Sequence, residues 1–364
     1  MLSYIIAYLT HKIMEHLHGR RTIVIGTRES VLALAQTHIV HQYLLDNFPD
    51  IDVKLHSLST SGDKNQIQPL HEMARKALWT EELEDLLLEG KVDLIVHSLK
   101  DMPTTLPATC QIGAILERED PRDALVVRPD LPYRSLGELP AGSVVGTSSV
   151  RRMAQISRLY PSLVLKDMRG NVPRRLEKLK NNAEFGFDAL ILAAAGLHRL
   201  NFHDQITAYL ESPEMLHAVG QGAIAVETRE NDPEIAALIK GLNHGETAKA
   251  CMAERALLRK LEGGCSVPIG VETSFVGEEL KMKAVVLSVD GTQIVETEVS
   301  QRTETEAAAD EFGREVADKL VELGCQPILV EVEKKRAEKA AADIKRNEEG
   351  AAIAINDDGD IVIV

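Results

Sequence analysis

From Thr22 onward, short apolar runs alternate with longer amphipathic stretches, the pattern of strands followed by helices. Residues 22–26, TIVIG, predict a buried strand. Ser30 then stands where it can N-cap a helix whose apolar positions Leu34, Ile39, Val40, Tyr43 and Leu44 approximate a 3.6-residue period. Between them, Gly26-Thr27-Arg28 is expected to form a glycine turn that presents backbone N–H groups and a cation to a pocket. Ile51, Val53 and Leu55 alternate as a strand does, so the first unit reads β-α-β. After a polar loop at 59–64, Thr80 precedes a helix with Glu81, Glu82 and Glu84 in its first turn, where the helix dipole favours acid, and Gly90 ends it. Residues 92–96, VDLIV, predict a strand buried on both faces that runs directly into HSLKDMP at 97–103.

The segment 117–123, EREDPRD, is charged and broken by proline, and reads as a crossing between domains. Strands are predicted at 124–128, 143–146, 162–166 and 187–193, with helices from about 149 and 172, which makes a second α/β unit. The loop AVGQG at 218–222 and a strand at 223–228 are read as carrying the chain back to the first unit, and a boundary crossed twice makes a hinged cleft. Asp232 before Pro233 starts a helix. A long helical pattern from about 246 ends at Gly263-Gly264; alternating segments near 266–276, 281–289 and 292–300, then a helix over 305–323, predict a small α+β domain. The expected division is an N-terminal extension at 1–21, an α/β domain 1 at 22–117 plus 223–241, and an arginine-rich α/β domain 2 at 118–222. Domain 3 follows at 245–330, and 331–364 is a peripheral C-terminal tail.

Composition narrows the function classes. A chain of 364 residues exceeds one ordinary core and accommodates two or three domains. A net charge of −15 argues against a general binder of nucleic acid or anionic membrane, because phosphate surfaces reward basic residues everywhere. Against that trend, residues 151–180 hold nine basic and two acidic side chains, a local excess that attracts a small, localised anion. The four cysteines are too widely spaced for a zinc cluster or disulfide framework, so no metal is expected and a reduced, cytoplasmic setting is. The apolar run near the N-terminus is too short to span a bilayer and lacks the flanks of a secretory signal.

Three constellations carry candidate chemistry. Arg151-Arg152 follow Gly146-Thr147-Ser148-Ser149 at a strand-to-helix turn, and Arg169-Gly170-Asn171 repeats that geometry after the next strand. Two neighbouring strand ends that offer guanidinium forks, hydroxyls and N–H groups suit bidentate carboxylate recognition better than a solvated helix face. Asp101, at the end of another strand, either caps a turn or, if it faces the basic cleft, is an isolated anion among cations suited to stabilising positive charge that develops on a substrate. Lys100 beside it is expected on the opposite face if the strand continues. Cys265, after two glycines, is accessible enough to attach something covalently, whereas Cys110, Cys251 and Cys325 read as small core residues. His97 reads as packed beside its strand, and no HExxH, P-loop or nucleophile elbow is present.

IVHSLKDMP, GTSSVRR, RGNVPRR, LILAAAGLHR, AVGQGA and LEGGCSVPIG, in this order between about Thr22 and Val330, resemble the porphobilinogen deaminase (hydroxymethylbilane synthase) family. The resemblance implies two periplasmic-binding-protein-like α/β domains around a hinged cleft and a third that carries the cofactor cysteine. It implies stepwise head-to-tail condensation of four porphobilinogen molecules with loss of ammonia, then hydrolysis to 1-hydroxymethylbilane. The primer it implies is a dipyrromethane held through a thioether on Cys265. By motif, Asp101 is the catalytic aspartate that stabilises the cationic azafulvene. Arg28, Ser30, Lys100, Arg151, Arg152, Arg169, Arg175 and Arg199 bind carboxylates, and Thr147, Ser148, Ser149, Gly170 and Gln221 line the same cleft. Glu81 stands where the family usually has lysine, leaving Lys76 as the nearer loop cation, and Arg174 where threonine is common. The implied partners are porphobilinogen and the growing oligopyrrole, with a monomeric enzyme whose product passes to uroporphyrinogen-III synthase and with neither nucleic acid nor membrane. The alternative reading is a non-catalytic, periplasmic-binding-like module for a small carboxylate.

Overall fold

The computed structural model describes residues 22–60, 80–261, 267–335, 338, 353–355 and 361–363. The expected N-terminal extension, Lys76 and Cys265 lie outside them. Two five-stranded sheets and a three-stranded sheet organise the described chain. Strands β1 (Thr22–Arg28), β2 (Asp52–Leu58), β3 (Leu94–Ser98) and β4 (Cys110–Ile115) belong to the first sheet, and β5 (Asp123–Val127), β6 (Val144–Gly146), β7 (Val164–Lys166), β8 (Ala189–Ala193) and β9 (Ala208–Leu210) form the second. The chain then returns as β10 (Ile224–Arg229), which lies between β3 and β4 and runs antiparallel to both.

The sheet orders are β2-β1-β3-β10-β4 and β7-β6-β8-β5-β9. Each therefore repeats one scheme, in which the fourth position is taken by the strand that enters from the other sheet. This reciprocal topology is that of a periplasmic-binding-protein-like pair with two crossings at its hinge. Helices α1 (Val31–Asn47) and α2 (Glu81–Leu88) cover the first sheet. Helices α3 (Val150–Leu159), α4 (Val172–Lys180), the short α5 (Asn182–Phe185) and α6 (Ala194–Arg199) belong to the second.

After α7 (Pro233–Ile239), which Asp232 caps by accepting from Ile235 N, helix α8 (Gly245–Lys260) leads into the antiparallel sheet β11 (Ile269–Val276), β12 (Glu279–Leu287) and β13 (Ile294–Arg302). Helix α9 (Glu306–Glu322) packs against α8, and both cover this sheet around Phe312, Leu257, Met282 and Val316. A further helical stretch at 326–335 buries Ile328, Leu329 and Val332 in the same core. The expected tail boundary at 331 thus falls inside a packed element.

Two local expectations need correction. Gly26-Thr27-Arg28 is not a turn: it continues β1, with Gly26 beside Ile95 of β3 and His56 of β2. A Cβ on Gly26 would come within 3.3–3.4 Å of Val92 and Ile95, so glycine serves close packing there, and the turn comes at Glu29-Ser30. Leu55 and Ile39 are also each 45% exposed, although their spacing suggested a core face. The buried face of α1 uses Ala33, Gln36, Thr37, Val40 and Leu44. Its polar members are satisfied, because Thr37 Oγ1 donates to Thr27 Oγ1 (2.6 Å) and Ser98 Oγ donates to Gln36 Oε1 (2.9 Å). Apolar periodicity cannot register a face that packs through hydrogen bonds.

Candidate active site

A cleft of about 570 Å³ opens where the carboxyl ends of β1, β3, β6 and β8 converge. From the first sheet it receives Arg28, Ser30, Lys100 and Asp101; from the second, Ser148, Ser149, Arg151, Arg152, Arg169, Gly170, Arg175 and Arg199; from the returning crossing, Gln221. Val267 and Ile269 of the third unit close one end. Ligands in α/β sheets bind beyond the carboxyl ends of strands for the same reason, since turns there leave backbone and side chains free to point at a guest. A second cavity of about 390 Å³, bounded by Val126, Leu176, Leu179 and Ile206, brings none of the candidate residues together.

On the first wall, β3 stops at Ser98 and Leu99–Asp101 turn as one 3-10 helix. The expectation that Lys100 and Asp101 face opposite ways assumed a longer strand. The tight turn instead brings both into the cleft. Arg28, the last residue of β1, lies 3.9 Å from Asp101 through Nη1 and Oδ2. Burial lowers the Lys100 ammonium pKa, Asp101 opposes that, and Arg152 reinforces it. Among described cleft residues only Asp101 and the exposed Glu29 are carboxylates. Ser30 accepts from Ala33 N (3.3 Å), which ties this hydroxyl to capping α1.

The opposite wall is more tightly built. Asp123 is fully buried, and Arg151 and Arg152 are 4% and 6% exposed. Asp123 Oδ2 accepts from Arg151 Nη1 (2.7 Å), while Oδ1 accepts from Arg152 Nε (3.0 Å) and Nη2 (2.7 Å) and from Gln221 Nε2 (2.9 Å). Arg151 and Arg152 also donate to Leu216 O (2.6 Å) and Ile191 O (2.8 Å). Burial alone would raise the Asp123 carboxyl pKa; the two guanidiniums overcome it and hold the group well below the usual carboxylate range. These arginines are therefore not free forks waiting for an anion, as a reading of GTSSVRR alone suggests. Asp123 was visible in sequence only as the last residue of a charged crossing, and nothing local signalled its partners 28 and 29 residues away.

Arg175 and Arg199 are less occupied by protein carboxylates. Arg175 Nε donates to Gly170 O (2.7 Å) and Arg199 Nη2 to Gly222 O (2.7 Å). Burial, then the neighbouring charges of Arg152 and Arg169, lower the Arg175 pKa to about 10, and burial lowers that of Arg199 to about 10 against Glu119. Desolvated like charges in one cleft gain most from an anionic guest. Gly170, at φ +118°, allows the chain to turn from β7 into α4, whose N-cap Asn171 accepts from Arg174 N (3.0 Å).

Some expectations shift. Thr147 is fully buried and does not line the cleft; its Oγ1 accepts from Ser149 N (3.3 Å) and so shapes the turn. Ser148 lines the cleft while bonding both ways with Met168. Arg174 is exposed outside the cleft, as is Glu81 at the start of α2. His97 packs beside its strand with Nε2 2.8 Å from Glu227 Oε2 of β10, both side chains buried.

Behind the cleft, Glu254 of α8 joins the third unit to both crossings. Arg118 donates to it bidentately (2.6 and 3.0 Å), Thr273 Oγ1 of β11 donates (2.5 Å), and Gly220 N donates (2.7 Å). Arg118 Nε also donates to Gln221 O (2.8 Å). The crossing that leaves the first sheet and the one that returns thus meet on one buried carboxylate.

The family model described as porphobilinogen deaminase, dipyrromethane cofactor binding domain, matches residues 23–237, and that described as porphobilinogen deaminase, C-terminal domain, matches 248–322. A porphobilinogen deaminase from Yarrowia lipolytica is 50% identical over 312 residues, covering 84% of this chain and 92% of its own. One from Nostoc sp. is 47% identical over 311 residues, covering 85% and 94%. Among solved structures, the periplasmic VFT2 domain of BvgS from Bordetella pertussis aligns with 67% of this chain and 97% of its own, at 12% identity and a TM-score of 0.39.

Proposed function

This chain belongs to the porphobilinogen deaminase family, and from that premise we propose how its own residues carry out the family's reaction. The enzyme condenses porphobilinogen stepwise, releasing ammonia, on a dipyrromethane cofactor, and yields hydroxymethylbilane for tetrapyrrole synthesis. The observation that carries the assignment of roles is the pairing of Arg28 and Asp101 opposite a wall of arginines.

The donor set fits a guest bearing several carboxylates. Arg169, Arg175 and Arg199 line the cleft, and the buried Arg151 Nε has no hydrogen-bond partner within the protein. The cofactor supplies the nucleophilic pyrrole end from which a chain is extended. Cys265, outside the described residues, is proposed as its attachment point; in sequence it falls between the end of α8 and Val267, which lines the cleft. Arg28, Lys100, Arg151, Arg152, Arg169, Arg175 and Arg199 bind substrate and chain carboxylates, with Ser30, Ser148, Ser149, Gly170 and Gln221 shaping their surroundings and Lys76 a further cation beyond the described residues.

Loss of ammonia leaves a delocalised cation on the substrate. Asp101, a carboxylate on the first wall, stabilises that charge where water is partly excluded, and Arg28 orients it. Lys100, whose ammonium form burial disfavours, is stabilised as a cation when a carboxylate binds beside it and so favours occupied over empty cleft. The enzyme is proposed to act as a cytoplasmic monomer and to hand its product to uroporphyrinogen-III synthase. Buried free thiols at Cys110, Cys251 and Cys325 support a reducing compartment.

Incubation with porphobilinogen tests the reading directly: hydroxymethylbilane, or the uroporphyrinogen into which it cyclises with loss of water and which oxygen then oxidises to uroporphyrin, should accumulate with one ammonia released per pyrrole. A protein that binds porphobilinogen without releasing ammonia would instead be a carboxylate-binding module.

A further inference from the structure

We propose that Asp123 is a positioning residue for the condensation, fixing Arg151 and Arg152 in one geometry and registering both to the hinge. The four donors on its carboxylate come from two separate parts of the fold: two from Arg152 and one from Arg151 on α3, and one from Gln221 on the returning crossing. Asp123 itself is the first residue after the outgoing crossing. Gln221 Nε2 donates to Asp123 Oδ1 (2.9 Å) and to Pro121 O (2.7 Å), so a single amide closes the two crossings on each other at the point where the arginines are held. Gln221 O in turn accepts from Arg118, which Glu254 holds. A continuous polar chain, half-buried at Thr273 and Arg118 and fully buried at Asp123, therefore runs from Thr273 of the third unit through Glu254, Arg118 and Gln221 to Asp123 and the two guanidiniums.

The chemistry explains why an anion belongs there. Two buried guanidiniums side by side repel one another, and a flexible pair would rearrange around every new carboxylate that arrives as the chain grows. One internal carboxylate cancels one of the two charges, holds both planes by charge-assisted bonds, and leaves a net single positive charge for the guest. The Arg151 Nε that lacks a protein partner belongs to this fixed pair. A group fixed before binding loses less freedom when the ligand arrives, which is where its contribution to affinity lies.

The proposal rests on Arg151 and Arg152 belonging to the carboxylate-binding wall, so the experiment includes a variant that tests that wall separately. Holoenzyme forms of Asp123→Asn, Asp123→Glu and Arg152→Lys are compared with the native protein. Three readouts are taken: melting temperature, KM for porphobilinogen, and the distribution of covalently bound chain lengths by intact mass after brief exposure to substrate. Asp123→Asn is expected to raise KM by roughly tenfold, the equivalent of one charge-assisted contact, and to shift the folded population toward shorter bound chains. Asp123→Glu, which keeps the charge but displaces the carboxylate by one methylene, should fold and lie between Asn and native in both measures. A purely structural Asp123 would lower melting temperature and the active fraction while leaving KM and the chain-length distribution of folded molecules native, and that result overturns the proposal. Should Asp123→Asn fail to fold, native KM and distribution in Asp123→Glu overturn it equally. If Arg152→Lys itself leaves both measures native, it is the wall assignment that fails; if Arg152→Lys perturbs them and the folded Asp123 variants do not, the positioning role fails alone.

Discussion

Arg28 Nη1 stands 3.9 Å from Asp101 Oδ2, a contact between the last residue of β1 and the 3-10 turn that ends β3. The side chains are 19% and 36% exposed, so the pair is open to a ligand yet partly shielded from water. At that separation the guanidinium orients the carboxylate without engaging both its oxygens. Asp101 is thereby left able to face a cation on the substrate.

Asp101→Asn keeps size and hydrogen-bonding shape but removes the charge. The variant should fold and carry its cofactor, with kcat lowered by roughly a hundredfold or more, the scale on which a lost electrostatic contact at a reacting centre is felt. Rapid-quench measurement of ammonia release on cofactor-loaded protein checks this; near-native turnover removes Asp101 from the chemical step.

Arg175 is held against its own preference by burial and by Arg152 and Arg169. In a Cys265→Ser background, Arg175→Met should leave melting temperature unchanged or raise it, because replacing a desolvated, repelled charge by an apolar chain of similar length is neutral or favourable. In the cofactor-bearing enzyme the same substitution should raise KM by about tenfold. Loss of stability together with an unchanged KM would make Arg175 a structural cation.

Glu254 binds Arg118, Thr273 and the Gly220 amide while itself fully buried. Glu254→Ala leaves Arg118 as an uncompensated charge and should cost about 3–5 kcal/mol of stability. Urea unfolding followed by a probe in the third unit and one in the second sheet should show both transitions moving, since the carboxylate joins them. A shift confined to one unit would contradict the clamp.

His217 gives stability a pH dependence. Burial, then the nearby Arg118, lowers its pKa to about 4 from an ordinary value near 6.5. The unfolded chain thus takes up this proton at higher pH than the folded one, so the contribution to stability is fully present above about pH 6.5 and is lost as pH falls toward 4, by on the order of 3 kcal/mol. Denaturant midpoints across that range should fall more steeply in the native protein than in His217→Asn. Equal slopes would assign the acid sensitivity to other groups.

The order of strands and helices was legible because apolar runs and caps are local: Ser30 and Asp232 each accept from the helix amide expected of an N-cap. The return of β10 to the first sheet was suggested by a loop and an apolar run, but its antiparallel seat between β3 and β4 is a long-range pairing that periodicity does not encode. At the site, Arg169 and Arg175 could be found from charge concentration, while the fate of Arg151 and Arg152 could not. Their partner Asp123 lies across the sheet, and only the fold brings it beneath them. Lys100 was misdirected for a related reason, since strand alternation places neighbours on opposite faces only until the strand ends, and β3 ends at Ser98.

The proposed enzyme extends a pyrrole polymer tethered at Cys265 within the arginine-lined cleft. Intact mass of the purified protein, before and after a short exposure to porphobilinogen, tests it most directly. The native protein should carry a mass excess equal to a dipyrromethane, then gain a ladder of single-pyrrole increments, and Cys265→Ser should show neither. An active protein of unmodified mass, or one whose adduct and ladder survive in Cys265→Ser, would contradict the account.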